Sequence, residues 1–150
     1  MNKLKIVIAY DGSHFKGWQI QPGEKTVQDS LELALKKITH AEIKVHGSGR
    51  TDTGVHALGQ VAHFEIPPES RMTADEWQRA INVNLPPTIR VLSTELVSTD
   101  FHARFSAKSK TYRYHINTSQ ILLPHEFLKV WHHPKNLDIS MLKRACDLYV

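Results

Sequence analysis

The sequence contains a single cysteine among its 150 residues and has no long hydrophobic run. With only Cys146, an intrachain disulfide is excluded, which fits a protein of a reducing compartment. No apolar stretch approaches the roughly 18 residues that a membrane-spanning helix needs. The apolar run at residues 4–10 is also too short for a secretory signal. We therefore expect a soluble, cytoplasmic protein with no membrane partner.

The chain also lacks internal repeats and low-complexity segments, while 41% of its residues are hydrophobic and 23% are charged. These proportions are typical of a folded domain with its own core and argue against disorder. The formal net charge of +4 favours a polyanionic partner only weakly. A local cluster is more informative, because cations bind phosphates and aromatic rings stack on bases. Its members are Arg104, Lys108, Lys110 and Arg113, interleaved with Phe105, Tyr112 and Tyr114.

Hydrophobic periodicity predicts the order strand, helix, strand, strand, helix, strand over the first 97 residues. The strands are expected at residues 4–10, 42–46, 58–66 and 89–97. Thr26 is a candidate N-cap for the first helix, and Thr73 with Glu76 forms a capping box for the second. This βαββαβ order predicts an α+β, ferredoxin-like fold, an antiparallel sheet with both helices on one face. Leu58, Ala62, Phe64 and Ile66 are expected to line one face of the third strand.

The remaining residues are expected to begin a second half. We predict strands at residues 111–117 and 127–132 and a helix capped by Asp138. The predicted domains are therefore residues 1–100, an N-terminal catalytic domain, and residues 101–150, the start of a second domain. No helix stop signal precedes Val150, so we expect this second domain to be truncated.

A polar, glycine-punctuated stretch at residues 47–57, GSGRTDTGVHA, lies between the second and third predicted strands. Its glycines permit backbone conformations that other residues resist and allow close approach to a ligand. Arg50 and Asp52 would then be presented from a structured loop. For a loop of unknown function, a solvated turn is the alternative.

The order Gly-Arg-Thr-Asp-x-Gly-Val-His-Ala resembles the catalytic motif of the tRNA pseudouridine synthase A family. Five more stretches are similar to blocks of that family and follow in its order, together spanning most of residues 3–117. They are YDGSxFxGWQxQ (10–21), GQVAHF (59–64), NxNLP (82–86), FHARFSA (101–107) and YRY (112–114).

The resemblance implies an RNA-modifying isomerase that converts uridine to pseudouridine in the anticodon stem-loop region of tRNA, acts as a homodimer and needs no cofactor. Asp52 matches the family's nucleophilic aspartate and Tyr112 its active-site tyrosine. Family members continue for roughly another half, which supplies further active-site residues including a basic one. The 150-residue chain alone is therefore expected to be catalytically poor or inactive.

The sequence alone leaves several residue roles open. Arg50 either pairs with Asp52 or contacts RNA and fills the gap left by a flipped nucleotide, the role that the resemblance favours. Arg104 and Lys110 are expected to bind phosphate. Tyr112 could be a core residue instead of a stacking ring, and Tyr114 is assigned to the core.

Two other functions are alternatives to the isomerase. A metal-dependent hydrolase would use Asp52 and His56, with His63 and Asp11 nearby, but the sequence has no convincing ligand spacing, so no metal is predicted. A non-catalytic RNA-binding module of RRM-like topology is the remaining alternative.

Overall fold

The computed structural model describes residues 3–149. Val150, where the sequence is expected to end inside an element, lies outside the described residues, as does the start of the first predicted domain. The chain divides into two compact units, the first ending at Lys110 and the second beginning at Thr111. The predicted boundary after residue 100 stays a prediction.

The first unit is an antiparallel four-stranded sheet with two helices, and its strand order is β2-β3-β1-β4. β1 and β3 are the two inner strands of this sheet. The α+β, ferredoxin-like fold expected from the sequence is confirmed. The elements in chain order are β1 (Lys3–Tyr10), α1 (Val27–Thr39), β2 (His46–Gly47), β3 (Ala57–Glu65), α2 (Ala74–Asn84) and β4 (Ile89–Val97).

Both helices begin at the predicted caps. The Thr26 hydroxyl accepts a hydrogen bond from the Asp29 N–H at 3.3 Å. In α2 the Glu76 N–H donates to the Thr73 hydroxyl at 3.3 Å, and the Thr73 N–H donates to the Glu76 carboxylate at 2.7 Å. These bonds satisfy N–H groups that have no partner within the helix.

The core lies between the sheet and the helices. Alternate residues of β1 are buried, the pattern of a strand with one face on a core. The buried residues form one cluster with the apolar faces of both helices. The largest fully buried members of this cluster come from the sheet and from both helices, and they include Ile6, Ile8, Leu31, Leu35, Phe64, Trp77 and Ile81.

A bulge in β3 corrects one prediction about its buried face. Ile8 pairs with Gln60 but Tyr10 pairs with Ala57, so β3 has one extra residue between these partners. An extra residue reverses the alternation of side chains across a strand. Leu58 is therefore 75% exposed and does not join Ala62 and Phe64 in the core.

The predicted strand at 42–46 is also corrected, because β2 comprises only His46–Gly47. Side chains of α1, instead of a neighbouring strand, bind the backbone just before β2. The Val45 N–H donates to the Glu32 carboxylate at 3.1 Å, and the Val45 carbonyl accepts from the Gln28 amide at 3.1 Å. Lys44 pairs with the same Glu32 carboxylate at 3.0 Å.

The second unit has less regular structure than predicted. Its two strands, β5 (Ile116–Asn117) and β6 (Trp131–His132), pair in parallel and are shorter than the predicted 111–117 and 127–132. Asp138 caps α3 (Ile139–Cys146) as predicted, its carboxylate accepting from the Met141 N–H at 2.9 Å. Tyr114 is 88% exposed, so its assignment to the core was wrong. Across residues 3–149, no helix has the length and apolarity needed to cross a membrane.

Candidate active site

Asp52 is exposed in the loop between β2 and β3. The loop turns directly after it, where the Val55 N–H donates to the Asp52 carbonyl at 3.1 Å. Gly54 within this turn has φ +79°, a left-handed conformation that glycine adopts without steric cost. The turn fixes the backbone of Asp52 while its carboxylate faces solvent.

A second loop, residues 11–25, binds the Asp52 loop on both sides of the aspartate. The Trp18 N–H donates to the Thr51 carbonyl at 3.0 Å, and the Gly54 N–H donates to the Phe15 carbonyl at 3.3 Å. Phe15 and Trp18 are themselves buried, so the second loop is anchored in the core. Asp52 is therefore held from a rigid base.

Two glycines allow these loops to touch backbone to backbone. A Cβ atom on Gly12 would lie 2.0 Å from the Val55 carbonyl oxygen, and one on Gly17 would lie 2.5 Å from the Thr51 carbonyl oxygen. Gly17 also has φ +85°. The close approach explains why glycines flank Ser13, His14, Phe15 and Lys16 in the sequence.

The start of α1 holds the second loop from the other side. The Val27 and Gln28 N–H groups donate to the Gly17 and Trp18 carbonyls at 3.2 and 3.0 Å. These N–H groups lie in the first turn of the helix and have no partner within it. One continuous set of hydrogen bonds therefore connects α1 to the backbone next to Asp52.

Tyr10 at the end of β1 adds a side-chain contact to the loop. Its hydroxyl lies 2.8 Å from the Thr51 hydroxyl. Burial raises the pKa of Tyr10 above its ordinary value, although the hydrogen bond with Thr51 opposes this effect. The phenol therefore stays protonated at neutral pH and supports the loop as a neutral group.

Asp52 and Arg50 line a pocket of about 360 Å³. In the part of the chain that the structure describes, Arg50 makes no ion pair with Asp52, so the pairing role considered for Arg50 is not present. The other five lining residues come from both loops, and none of them was predicted as a site residue. The lining comprises Lys16, Gln19, Gln21, Arg50, Thr51, Asp52 and Thr53.

Of the other predicted site residues, Lys110 is near the Asp52 loop and Arg104 has a different environment. The Lys110 ammonium lies 2.7 Å from the position that a Cβ on Gly49 would occupy, one residue before Arg50. The Arg104 guanidinium lies over the Phe105 ring, 6.0 Å from its centre, on an exposed turn. Tyr112 belongs to the second unit and is 72% exposed, so the core alternative for this tyrosine was wrong.

His56 joins the Asp52 loop to the second loop through its side chain. Its Nδ1 atom accepts a hydrogen bond from the Gly12 N–H at 3.2 Å and lies 3.3 Å from the Asp11 carboxylate. Within residues 3–149, no group of three His, Cys, Asp or Glu side chains is arranged to hold a metal ion. The Asp52 and His56 pair considered for a metal-dependent hydrolase therefore has no third ligand among these residues.

His63 belongs to a separate cluster of histidines. It lies on β3, where its backbone is paired with that of Lys5 on β1. It is 2% exposed, stacks on His46 with ring centres 5.1 Å apart, and meets His102 at 4.8 Å. Its Nδ1 accepts from the Ala103 N–H at 3.2 Å, which fastens the 101–106 turn to the sheet. Burial, followed by the charges of His46, His102 and Lys3, lowers the pKa of His63 from 6.5 to about 4.

The sequence carried partial signals for these missed residues. Lys16, Gln19 and Gln21 lie inside the block at residues 10–21, but nothing local shows that this block reaches a loop 30 residues later. Likewise His63 and His102 lie in two separate blocks, and only the fold brings them together.

Comparison with known proteins shows two kinds of similarity. Residues 6–106 match the family model described as tRNA pseudouridine synthase. This match includes both loops of the pocket.

Individual relatives align with nearly the whole chain. The chain is 47% identical over 149 residues to tRNA pseudouridine synthase A of Akkermansia muciniphila, an alignment covering 99% of the chain and 56% of that protein. It is 54% identical over 114 residues to the protein of that name from Maridesulfovibrio salexigens, covering 76% of the chain and 41% of the relative. For the Solibacter usitatus protein of the same name the identity is 46% over 150 residues, with 98% and 62% covered. The chain thus spans about half the length of these relatives.

Proposed function

Because this chain belongs to the tRNA pseudouridine synthase family, we propose that the protein converts uridine to pseudouridine in tRNA. The relatives named tRNA pseudouridine synthase A support tRNA as the substrate. The target region is the anticodon stem-loop, as the resemblance of the sequence motifs implies. The observation that carries the proposal is the exposed Asp52 carboxylate in a pocket whose backbone is fixed from both sides.

The reaction breaks the bond between ribose C1′ and base N1 and forms a bond between C1′ and C5. N1 gains a proton and C5 loses one, so no electrons are exchanged with an external group. A carboxylate nucleophile can hold one fragment while the base rotates. Asp52 has this role in our proposal.

The basic and aromatic residues bind the RNA. Arg50, which lines the pocket beside Asp52 without pairing with it, contacts the RNA and fills the space that a flipped nucleotide leaves. Lys110 and Arg104 are exposed cations that bind phosphates, and the exposed ring of Tyr112 stacks on the target base.

The remaining expectations are also part of the proposal. Isomerisation requires no redox group, so the protein acts without a metal or organic cofactor. It works as a homodimer in the cytoplasm, where tRNA is available. The catalytic domain is the N-terminal one, which carries the Asp52 loop.

Nucleoside analysis of tRNA tests the proposed activity. An unmodified tRNA transcript is incubated with the protein, digested to nucleosides and separated by chromatography. The proposal predicts that pseudouridine appears, while total uridine falls by the same amount, with a form of the protein extended to the length of its relatives, and that the 150-residue chain alone forms little or none. A tRNA that binds the extended form but returns unmodified would favour the RNA-binding module instead.

A further inference from the structure

Lys16 lies in the same pocket as Asp52, although it is 36 positions earlier in the sequence. The pocket has three charged lining residues, and two of them, Lys16 and Arg50, are cationic. The neutral lining residues are amides and hydroxyls. An anionic substrate entering this pocket therefore meets a positive charge on each of the two loops.

The position of Lys16 is fixed although its side chain is exposed. Its N–H donates to the Lys25 carbonyl at 2.9 Å, and its carbonyl accepts from the Gln21 amide at 2.8 Å. The next residue, Gly17, packs against the Thr51 backbone. The backbone of Lys16 is thus held in place relative to Asp52.

The charge of Lys16 is available to a ligand. In residues 3–149 its ammonium takes part in none of the ion pairs, whereas Lys5, Lys36 and Lys44 each pair with a glutamate. A lysine side chain loses considerable rotamer entropy when it is ordered. A phosphate near Asp52 would supply a partner that the protein itself does not.

The pocket volume limits the ligand. About 360 Å³ is near the lower end of ligand pockets, which span roughly 300–1,000 Å³. This space is of the size of a single nucleotide. A nucleotide in an RNA chain brings a phosphodiester on each side of its sugar.

We propose that Lys16 is a substrate-binding residue that neutralises an RNA phosphodiester next to the nucleotide entering the Asp52 pocket. This inference rests on the proposed function for the identity of the nucleic acid. Lys16 takes no part in bond making, so its contribution is to affinity. Arg50 belongs to the other loop of the pocket and contacts the RNA independently.

The test compares Lys16→Gln with Lys25→Gln in the protein. Lys25 lies on the same loop and also carries a positive charge, but its ammonium lies over the Phe15 ring, 5.1 Å from the ring centre, and it does not line the pocket. Both variants lose one positive charge. The comparison therefore separates a local phosphate contact from the general electrostatic attraction between the protein and RNA. Affinity for tRNA is measured over a series of salt concentrations.

For Lys16→Gln we expect affinity for tRNA to fall roughly three- to tenfold near 0.1 M salt. The negative slope of log affinity against log salt should become shallower by roughly 0.7–0.9. Lys16→Arg should retain the slope, and Lys25→Gln should change it little. An unchanged slope in Lys16→Gln overturns the inference. Equal losses in Lys16→Gln and Lys25→Gln also overturn it.

This measurement is independent of catalysis. If wild-type protein extended to the length of its relatives binds tRNA but forms no pseudouridine, the proposed function fails while the Lys16 slope remains informative. If pseudouridine forms but Lys16→Gln leaves the slope unchanged, only the Lys16 inference fails.

Discussion

At the scale of single residues, the site depends on glycines, whose lack of a side chain lets two loops approach closely. Gly17 packs against the Thr51 carbonyl where a side chain would collide with backbone. The backbone of Asp52 is held through the same contact, because the Trp18 N–H binds Thr51 directly. Replacing a hydrogen of Gly17 by a methyl group should therefore disturb Asp52, the proposed nucleophile.

Gly17→Ala tests this contact, with Gly23→Ala as its matched control. Both glycines have positive φ, +85° and +75°, but a Cβ on Gly23 meets nothing within 4 Å. The control should lose about 1–2 kcal/mol of stability from backbone strain. Gly17→Ala should lose more and should also lower activity by roughly tenfold or more, since a small displacement of a catalytic group is costly.

Thermal unfolding and isomerase assays measure these two effects. Equal stability and equal activity in the two glycine variants would show that the contact between the loops does not position Asp52.

His63 provides a prediction about pH. Burial, with the neighbouring charges of His46, His102 and Lys3, lowers the pKa of His63 in the folded protein to about 4 from 6.5. The folded state then binds fewer protons than the unfolded state between these values. Stability is full above pH 6.5 and is lost as the pH falls toward 4, by on the order of 3 kcal/mol.

His63→Asn should reduce this loss, because the amide oxygen can accept from the Ala103 N–H without titrating. Urea unfolding between pH 7 and 4.5 measures the effect. The exposed His14 provides a control in His14→Asn. If the stability of His63→Asn depends on pH as strongly as that of wild type, burial of His63 is not the cause of the pH dependence.

At the scale of elements, α1 is the support of the site. Its first N–H groups bind the carbonyls of Gly17 and Trp18, and Trp18 binds Thr51. The start of α2 contributes no residue to the pocket among those described. Both helices therefore have a threonine cap, but of the two only α1 is hydrogen-bonded, within residues 3–149, to the loop that holds Asp52.

Removing each cap separates helix stability from site geometry. Thr26→Ala and Thr73→Ala should each cost about 1 kcal/mol of stability. Thr26→Ala alone should lower isomerase activity several-fold at a temperature where both variants are folded. Denaturant curves and initial rates are the measurements, and equal rates for the two variants would contradict the role of α1.

Prediction of elements from the sequence succeeded where the signal is local. The caps Thr26, Thr73 and Asp138 lie within a few residues of the groups they bind. Prediction failed where distant contacts decide the outcome. The β3 bulge exposes Leu58, and α1 side chains replace a strand partner for Val45.

At the scale of the whole molecule, the site brings together segments that are far apart in sequence. Local motifs predicted that Asp52 and Arg50 lie on one loop, and the structure has both in one pocket. The contribution of Lys16 could not be predicted, because it depends on backbone contacts between two loops. The His63 cluster likewise forms only when the 101–106 turn packs on the sheet.

Removal of metal tests the proposed chemistry of the protein as a whole. An isomerisation through a carboxylate should continue in the presence of a zinc-selective chelator such as 1,10-phenanthroline. Magnesium is kept constant in this assay, because it also stabilises the tRNA fold. Inhibition that added zinc reverses would indicate a metal-dependent step.

The most direct test of the account is tritium release from tRNA that carries uridine labelled at C5, since C5 loses its hydrogen only when the new bond forms there. Asp52→Asn is nearly isosteric but is not a nucleophile. We predict that this variant lowers the release rate by roughly a thousandfold or more while tRNA affinity changes little. Asp100→Asn, which changes another exposed aspartate of the same unit, should release tritium at the wild-type rate. Tritium release by Asp52→Asn at a rate near that of wild type would contradict the assignment of Asp52 as the nucleophile.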